Sequence, residues 1–295
     1  ANDIFTKDPG DGGADTISGG GGSDIILGGS GDRDTTGTGG DTLHGGIGND
    51  VVVGDGGRVK RNASDVIEEF ENIDDNFGGD DIITGDAGDD WLTGGRGFDN
   101  IQAGDGDGLA LGDNGLFKFN GADGDLATLD LVMSMDSVHG AGDILDGNNG
   151  NDILLGGEGR DDIRGFAGNN TIFGDHGQIE LTQGIVRHSF SILTSIGDGD
   201  TITTSGGKDV IFGGQKDDTI TSGAGIDVVF GDQGEACTNN SAPGQTNNIF
   251  SIDPDQGGID TIYAGDGDDI VVGGSGGLDN TDGVRDPSTT HDPHG

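Results

Sequence analysis

The sequence predicts an all-β fold in which one short unit is stacked many times over, a β-solenoid of parallel strands. Three observations predict it. Glycine supplies 66 of the 295 residues while hydrophobic residues make up only 29%, too few apolar side chains for an ordinary layered core. Asp recurs every nine residues, as in "GGQKDDTITSGAGIDVVFGDQG" at 213–234, where Asp218 and Asp227 continue the beat of Asp200 and Asp209. An aliphatic residue stands two places after each Asp. Self-similarity at a fixed period sets the architecture before any single element does.

The composition narrows what such a chain can bind. With 55 acidic against 13 basic side chains, its formal net charge is −42. Self-repulsion on that scale opposes a compact state unless cations join it. The same field argues against nucleic acid and against an anionic membrane surface as partners. Apolar runs stop at triplets such as Val51-Val52-Val53, so no segment is expected to insert in a membrane, and residue 1 opens no signal peptide. The single Cys237 excludes an intramolecular disulfide framework. Stability is then expected from bound metal.

Along the chain the beat runs through Asp15 and Asp24, then Asp41 and Asp50, then Asp81, Asp90 and Asp99. It resumes at Asp143, Asp152, Asp161 and Asn170, again at Asp200, Asp209, Asp218 and Asp227, and last at Asp260 and Asp269. The aliphatic partners are Ile17, Ile26, Leu43, Val52, Ile83, Leu92, Ile101, Leu145, Leu154, Ile163, Ile202, Ile211, Ile220, Val229, Ile262 and Val271. Glycines precede each Asp, as in Gly45-Gly46-Ile47-Gly48. The unit is therefore GGxGxDxUx. Gly reaches backbone angles closed to other residues, so the first half can turn tightly and aim carbonyls inward. Asp adds a hard, charged oxygen. The last three residues form a short strand whose middle side chain points into the solenoid. Glycine content disfavours helix everywhere, and "SDVIEEFENI" at 64–73 is the one stretch whose composition permits a turn or two.

This nonapeptide resembles the calcium-binding repeat of the repeats-in-toxin (RTX) proteins, and the resemblance covers most of the chain outside four inserts, with about sixteen copies in phase. It implies a parallel β-roll in which two nonapeptides make one turn and each Ca²⁺ lies between loops eighteen residues apart. Ca²⁺ takes six to eight oxygens in loose geometry, which suits carbonyls and carboxylates. The expected ligands are every Asp of the beat named above together with Asn170. The expected pairs are Asp200 with Asp218, Asp209 with Asp227, Asp81 with Asp99, Asp143 with Asp161, and Asp152 with Asn170. The resemblance further implies a secreted bacterial protein exported through a type I channel, folding on calcium outside the cell, and serving as a stiff spacer or as part of an adhesin or surface layer. RTX repeats also follow proteases and lipases as secretion modules. No H-E-x-x-H is present here, and Gly273–Gly277 matches G-x-S-x-G without a strand–turn–helix context, so no enzyme activity is expected. "DPDQGG" at 253–258 fails as an EF-hand at Gly257 and Ala264. His291 and His294 read as part of a loose tail, and the sequons at Asn62 and Asn239 are uninformative.

A second period overlies the first. Gly-Asp pairs at Gly54, Gly112, Gly174 and Gly231 stand 58, 62 and 57 residues apart. Four nonapeptide half-turns are followed by an insert, giving units of approximately 1–57, 58–115, 116–177, 178–234 and 235–295. Each insert reads as one more solenoid turn carrying an extended loop, about three turns per unit. That predicts roughly fourteen or fifteen turns and a single elongated rod roughly 70 Å long at about 4.8 Å per strand. The start, "ANDIFTKDPGDGGADTI", matches "TNNIFSIDPDQGGIDTI" at 246–262. The chain is thus expected to begin and end mid-unit, as a segment of a longer array or as a protomer whose ends complete one another.

Strand faces alternate every eighteen residues. Thr201 and Thr203, Thr219 and Thr221, Asn100 and Gln102, Asp162 and Arg164 make one face wet. Val210 and Phe212, Val228 and Phe230, Ile25 and Leu27, Val51 and Val53, Ile153 and Leu155 make the other apolar. A continuous apolar surface is normally covered. Two covers are open: the inserts, through Val66, Ile67 and Phe70, Leu131, Val132 and Met133, or Phe190, Ile192 and Leu193; or another molecule, through self-association into a filament or sheet.

Overall fold

Each nonapeptide ends in a strand too short to pair with its own neighbours, so it pairs with the equivalent strand of the next turn. Residues 3–7, 12–29, 39–64, 66–73, 77–119, 128–135, 140–237, 248–253 and 256–274 are described in the computed structural model. Among them every regular element is a strand, and the strands form three nine-stranded sheets and a two-stranded one.

The middle of the chain shows the order. Ile82–Ala87 joins a front sheet, Trp91–Thr93 a central sheet, Asn100–Gln102 the front sheet and Leu109–Leu111 the central sheet. Gly115–Lys118 and Leu131–Ser134 then cross to a third, covering sheet before Ile144–Asp146 returns to the front. Front and central sheets are parallel throughout, with Ile83 beside Ile101 and Ile101 beside Leu145 in register. The middle residue of each strand faces between these two sheets: Leu43, Ile83, Leu92, Ile101, Leu145 and their equivalents make one continuous core. The two-sheet parallel roll is as the sequence predicts.

The inserts depart from that reading. They are antiparallel hairpins, Gly57–Arg61 with Ile67–Asn72, Gly115–Lys118 with Leu131–Ser134, and Gly177–Thr182 with Ile185–Ser191. Successive hairpins also pair antiparallel, as in Phe70 beside Phe117. The inserts lack the glycine turns that a parallel coil requires, and strands joined by a short loop pair antiparallel. The stack is therefore nine turns among the described residues, or about 40 Å at the usual strand spacing, not fourteen or fifteen. Within the stretch 64–73, Ile67–Asn72 is a strand of a hairpin rather than a helical turn. Its alternation places Phe70 and Asn72 inward and leaves Glu69 and Glu71 to pair with Arg58 on the outside.

The covering sheet lies on the apolar face of the central sheet and so answers which cover is used. A second core joins Val51, Val53, Leu109, Leu111, Phe212 and Phe230 of the central sheet to Val59, Phe70, Phe117, Val132, Ile179 and Ala236 of the hairpins. Phe70 stacks on Phe117 with centroids 3.9 Å apart, and Phe173, Phe212 and Phe230 stack in a row. Of the expected covering residues, Phe70 and Val132 point inward. Leu131, Met133 and Phe190 take the alternate, less buried positions, and Val66 is exposed. Ile179 and Leu181 do the work expected of Phe190. The sequon at Asn239, His291, His294 and residues 275–277 of the G-x-S-x-G match lie outside the described residues.

Candidate metal centres

Two seams join the front and central sheets, and every Asp of the nine-residue beat sits on one of them. On the first seam an Asp immediately precedes each front strand, as Asp81 precedes Ile82–Ala87. On the second an Asp precedes the central strands, as Asp90 precedes Trp91–Thr93, except that Gly108 and Asn170 stand before Leu109–Leu111 and Thr171–Phe173.

Along the first seam the backbone N–H of each Asp donates to Oδ1 of the Asp one turn on. Asp15 donates to Asp41 at 2.7 Å, Asp41 to Asp81 at 2.6 Å, Asp81 to Asp99 at 2.7 Å and Asp99 to Asp143 at 2.7 Å. Asp143 donates to Asp161 at 2.6 Å, Asp161 to Asp200 at 2.8 Å, Asp200 to Asp218 at 2.7 Å and Asp218 to Asp260 at 3.0 Å. The second seam runs likewise from Asp24 to Asp50 at 2.7 Å and on to Asp90 at 2.8 Å. After a gap it continues from Asp152 to Asn170 at 3.0 Å, Asn170 to Asp209 at 2.8 Å, Asp209 to Asp227 at 2.9 Å and Asp227 to Asp269 at 3.0 Å. All five pairs expected from the sequence are thus stacked neighbours. Neighbours across an insert stack in the same way, at separations of 39 to 44 residues.

The other carboxylate oxygen is the informative one. Oδ2 is buried without a hydrogen-bond partner in Asp24, Asp41, Asp50, Asp81, Asp90, Asp99, Asp143, Asp152, Asp161, Asp200, Asp209, Asp218, Asp227 and Asp260. A buried oxygen without a donor is costly, and here the cost is repeated at nearly every turn. Most of these oxygens face the glycine that opens their own nonapeptide or a neighbour's, whereas Asp209 and Asp227 have Thr204 and Ser222 in that place. A Cβ on Gly54 would lie 2.1 Å from Oδ2 of Asp81 and 2.6 Å from the carbonyl oxygen of Gly94. The glycine keeps that space free of side chain between a carboxylate and a carbonyl. An all-oxygen donor set of carboxylates and carbonyls fits a hard divalent cation such as Ca²⁺.

Electrostatics agree. Burial pushes the carboxyl of Asp41 up to about 6, Asp90, Asp152 and Asp260 to about 7, Asp81 and Asp161 to about 8, and Asp218 to about 10. Asp99, Asp143 and Asp200 rise well above the ordinary range through burial, with neighbouring aspartates adding to it. Such carboxylates hold protons or a cation at neutral pH.

Sequence reasoning missed a further set. Asp55, Asp113, Asp175 and Asp232, the acids of the Gly-Asp pairs, are buried on the first seam at the mouth of each insert. Asp55 accepts the backbone N–H of Gly79, where the chain returns from the insert, at 3.1 Å, and that of Arg96 in the next turn at 2.6 Å. Glu158 and Gln215 donate in the same way to Asp113 and Asp175, both at 2.5 Å, and Gly258 donates to Asp232 at 2.9 Å. In the following turns this second place of the nonapeptide is Gly95, Gly157, Gly214 and Gly274, each with positive φ. A Cβ on Gly95 would lie 2.5 Å from Oδ2 of Asp55. The alternation of Asp and Gly was visible in the sequence, but only as punctuation.

The RTX calcium-binding nonapeptide repeat matches residues 10–33, 35–58, 75–110, 141–178, 197–235 and 256–277, well over half of the chain. No curated protein matches it.

Proposed function

The chain belongs to the RTX calcium-binding nonapeptide-repeat family, and on that premise we propose that it is a structural, calcium-rigidified segment of a secreted protein. It folds as Ca²⁺ reaches the seams and then serves as a stiff spacer or as part of an adhesin or surface layer. The observation that carries this reading is the row of buried Oδ2 atoms with no partner. Every such atom is an acceptor whose lone pairs the protein itself does not use, placed where successive turns meet. Without a cation the carboxylates repel one another across the seams, and the small core works alone against backbone entropy. Sites of this kind in extracellular modules bind at about 10⁻⁴ to 10⁻³ M, and coupling between neighbouring turns makes filling cooperative. No catalytic role is proposed.

The spacer reading is favoured over lateral assembly by the covering sheet, which buries the apolar face within one chain. Circular dichroism during calcium titration tests the proposal. The β signal should grow cooperatively as calcium approaches millimolar and collapse on adding a strong chelator. A β spectrum indifferent to the chelator at neutral pH would refute it.

A further inference from the structure

The outer face of the covering sheet carries one cluster that the seams do not explain. His188, on the second strand of the third hairpin, stands directly opposite Cys237 on a fourth hairpin, formed by Gly234–Cys237 with Ile249–Ser251. Glu235 lies two residues before Cys237 on the same face. Its Oε1 is 2.8 Å from Nε2 of His188, and Oε2 of Glu180 is 3.5 Å from Nδ1 on the other side. One ligand atom from each of His188, Glu235 and Cys237 lies within 4.8 Å of the other two.

We propose that His188, Glu235 and Cys237 hold one transition-metal dication of the zinc class, at a site separate from the calcium seams. The donor chemistry selects the ion. A thiolate, an imidazole nitrogen and a carboxylate suit Zn²⁺ or Co²⁺ and do not suit Ca²⁺, which takes oxygens. Bonds of about 2.0–2.3 Å in a tetrahedron hold ligand atoms about 3.4–3.8 Å apart, so the donors need to close by only about an ångström. The backbone beneath them is fixed, because Ser189 and Ala236 alternate inward from the same paired strands and are buried. Nε2 of His188 would pass from Glu235 to the metal, while Nδ1–H donates to Glu180, the outer-partner arrangement that orients a ligating imidazole. The thiol loses its proton on binding, and the surrounding glutamates favour the cation. The metal would clasp the third insert hairpin to the fourth, across 47 residues of sequence.

The experiment uses the reduced chain saturated with calcium, so that the seams are filled, and titrates it with Co²⁺. One equivalent should bind with thiolate-to-cobalt charge-transfer absorption, and Zn²⁺ should displace it. C237S and H188Q should each abolish the absorption while leaving calcium-dependent circular dichroism intact. E235Q should weaken binding about tenfold or more. Zn²⁺ should also slow alkylation of Cys237 about tenfold in the parent chain but not in H188Q. Absence of the charge-transfer band, or its survival in H188Q, would overturn the site. So would Co²⁺ binding unchanged in C237S, which would assign the metal to the carboxylates of the seams.

Discussion

The two seams are built from the same nine-residue phrase but are not equal. The first carries an unbroken line of nine aspartates, from Asp15 to Asp260, with four more acids at the insert mouths. The second is interrupted twice. At Gly108 the side chain is missing, and its N–H still donates to Asp152 at 2.9 Å. The facing first-place glycine is replaced by Ala103, whose methyl takes up the space: a Cβ on Gly108 would lie 2.5 Å from it. At Asn170 the Oδ1 role survives, while Nδ2 donates to the carbonyl of Gly165 at 3.3 Å. That nitrogen occupies the position where other turns have an orphaned Oδ2, and the joint is satisfied without an ion. The difference separates two jobs that Asp performs together. Oδ1 pins one turn to the next, and Oδ2 is left buried without a partner, the atom offered to a cation in the proposed sites. Only the second job distinguishes Asp from Asn.

The largest test of this contrast is pH. Burial raises first-seam carboxyls such as Asp81, Asp161 and Asp218 to about 8 or above, and second-seam Asp90 and Asp152 to about 7. A raised carboxyl favours the fold when protonated. Its contribution is fully present below the ordinary carboxylate range and is lost as pH climbs through the raised values, from about 6 at Asp41 to about 10 at Asp218. The calcium-free chain should therefore regain β structure when taken from pH 8 to pH 4, and calcium added to that refolded, protonated chain should release protons, measurable in a pH-stat. A metal-free chain equally unfolded at both values would count against the burial of these groups.

Next in size is Asp143→Ala on the first seam. It removes a buried acid and leaves the N–H of Asp99 unpaired, and should cost about 3 kcal/mol in calcium-saturating denaturant titrations. Asp269→Ala, on a half-buried residue of the last described turn, should cost under about 1 kcal/mol. Equal costs would remove the distinction between interior and terminal joints. The smallest effects belong to the interruptions. Asn170→Asp should raise the calcium stoichiometry by one and weaken the metal-free fold by about 1–2 kcal/mol, both read by calorimetry. Gly108→Asp alone should destabilise by about 1–3 kcal/mol through overlap with Ala103, and Ala103→Gly beside it should relieve that cost. A double-mutant cycle with no coupling would show that the two changes are unrelated.

Much of this was legible in the residues, and the physical reason is the period. A nine-residue beat carries its own register, so the aspartates, their stacked partners and the inward aliphatics from Ile17 to Val271 could be placed without a structure. The wet and apolar faces followed from the eighteen-residue alternation. The hairpins did not follow. Val59, Phe70 and Ile179 alternate with polar neighbours as solenoid strands do, and period two is silent on whether strands run parallel or antiparallel. Asp55 and its equivalents were hidden because they stand where neighbouring turns have glycine. Membership of a column suggested Asn170 as a ligand, and only the direction of its amide nitrogen argues otherwise.

The ladder of Asp N–H donors to Oδ1 acceptors has a consequence for how damage spreads. All of these bonds point the same way, each residue leaning on the one that follows it in the chain. The stack therefore has a head and a tail. Asp143 supports Asp99, and is itself supported by Asp161. Loss of its side chain strips the turn before it and spares the turn after it. A lesion in the middle of the roll should propagate toward the N-terminus, and hydrogen exchange on either side of the site would show the asymmetry.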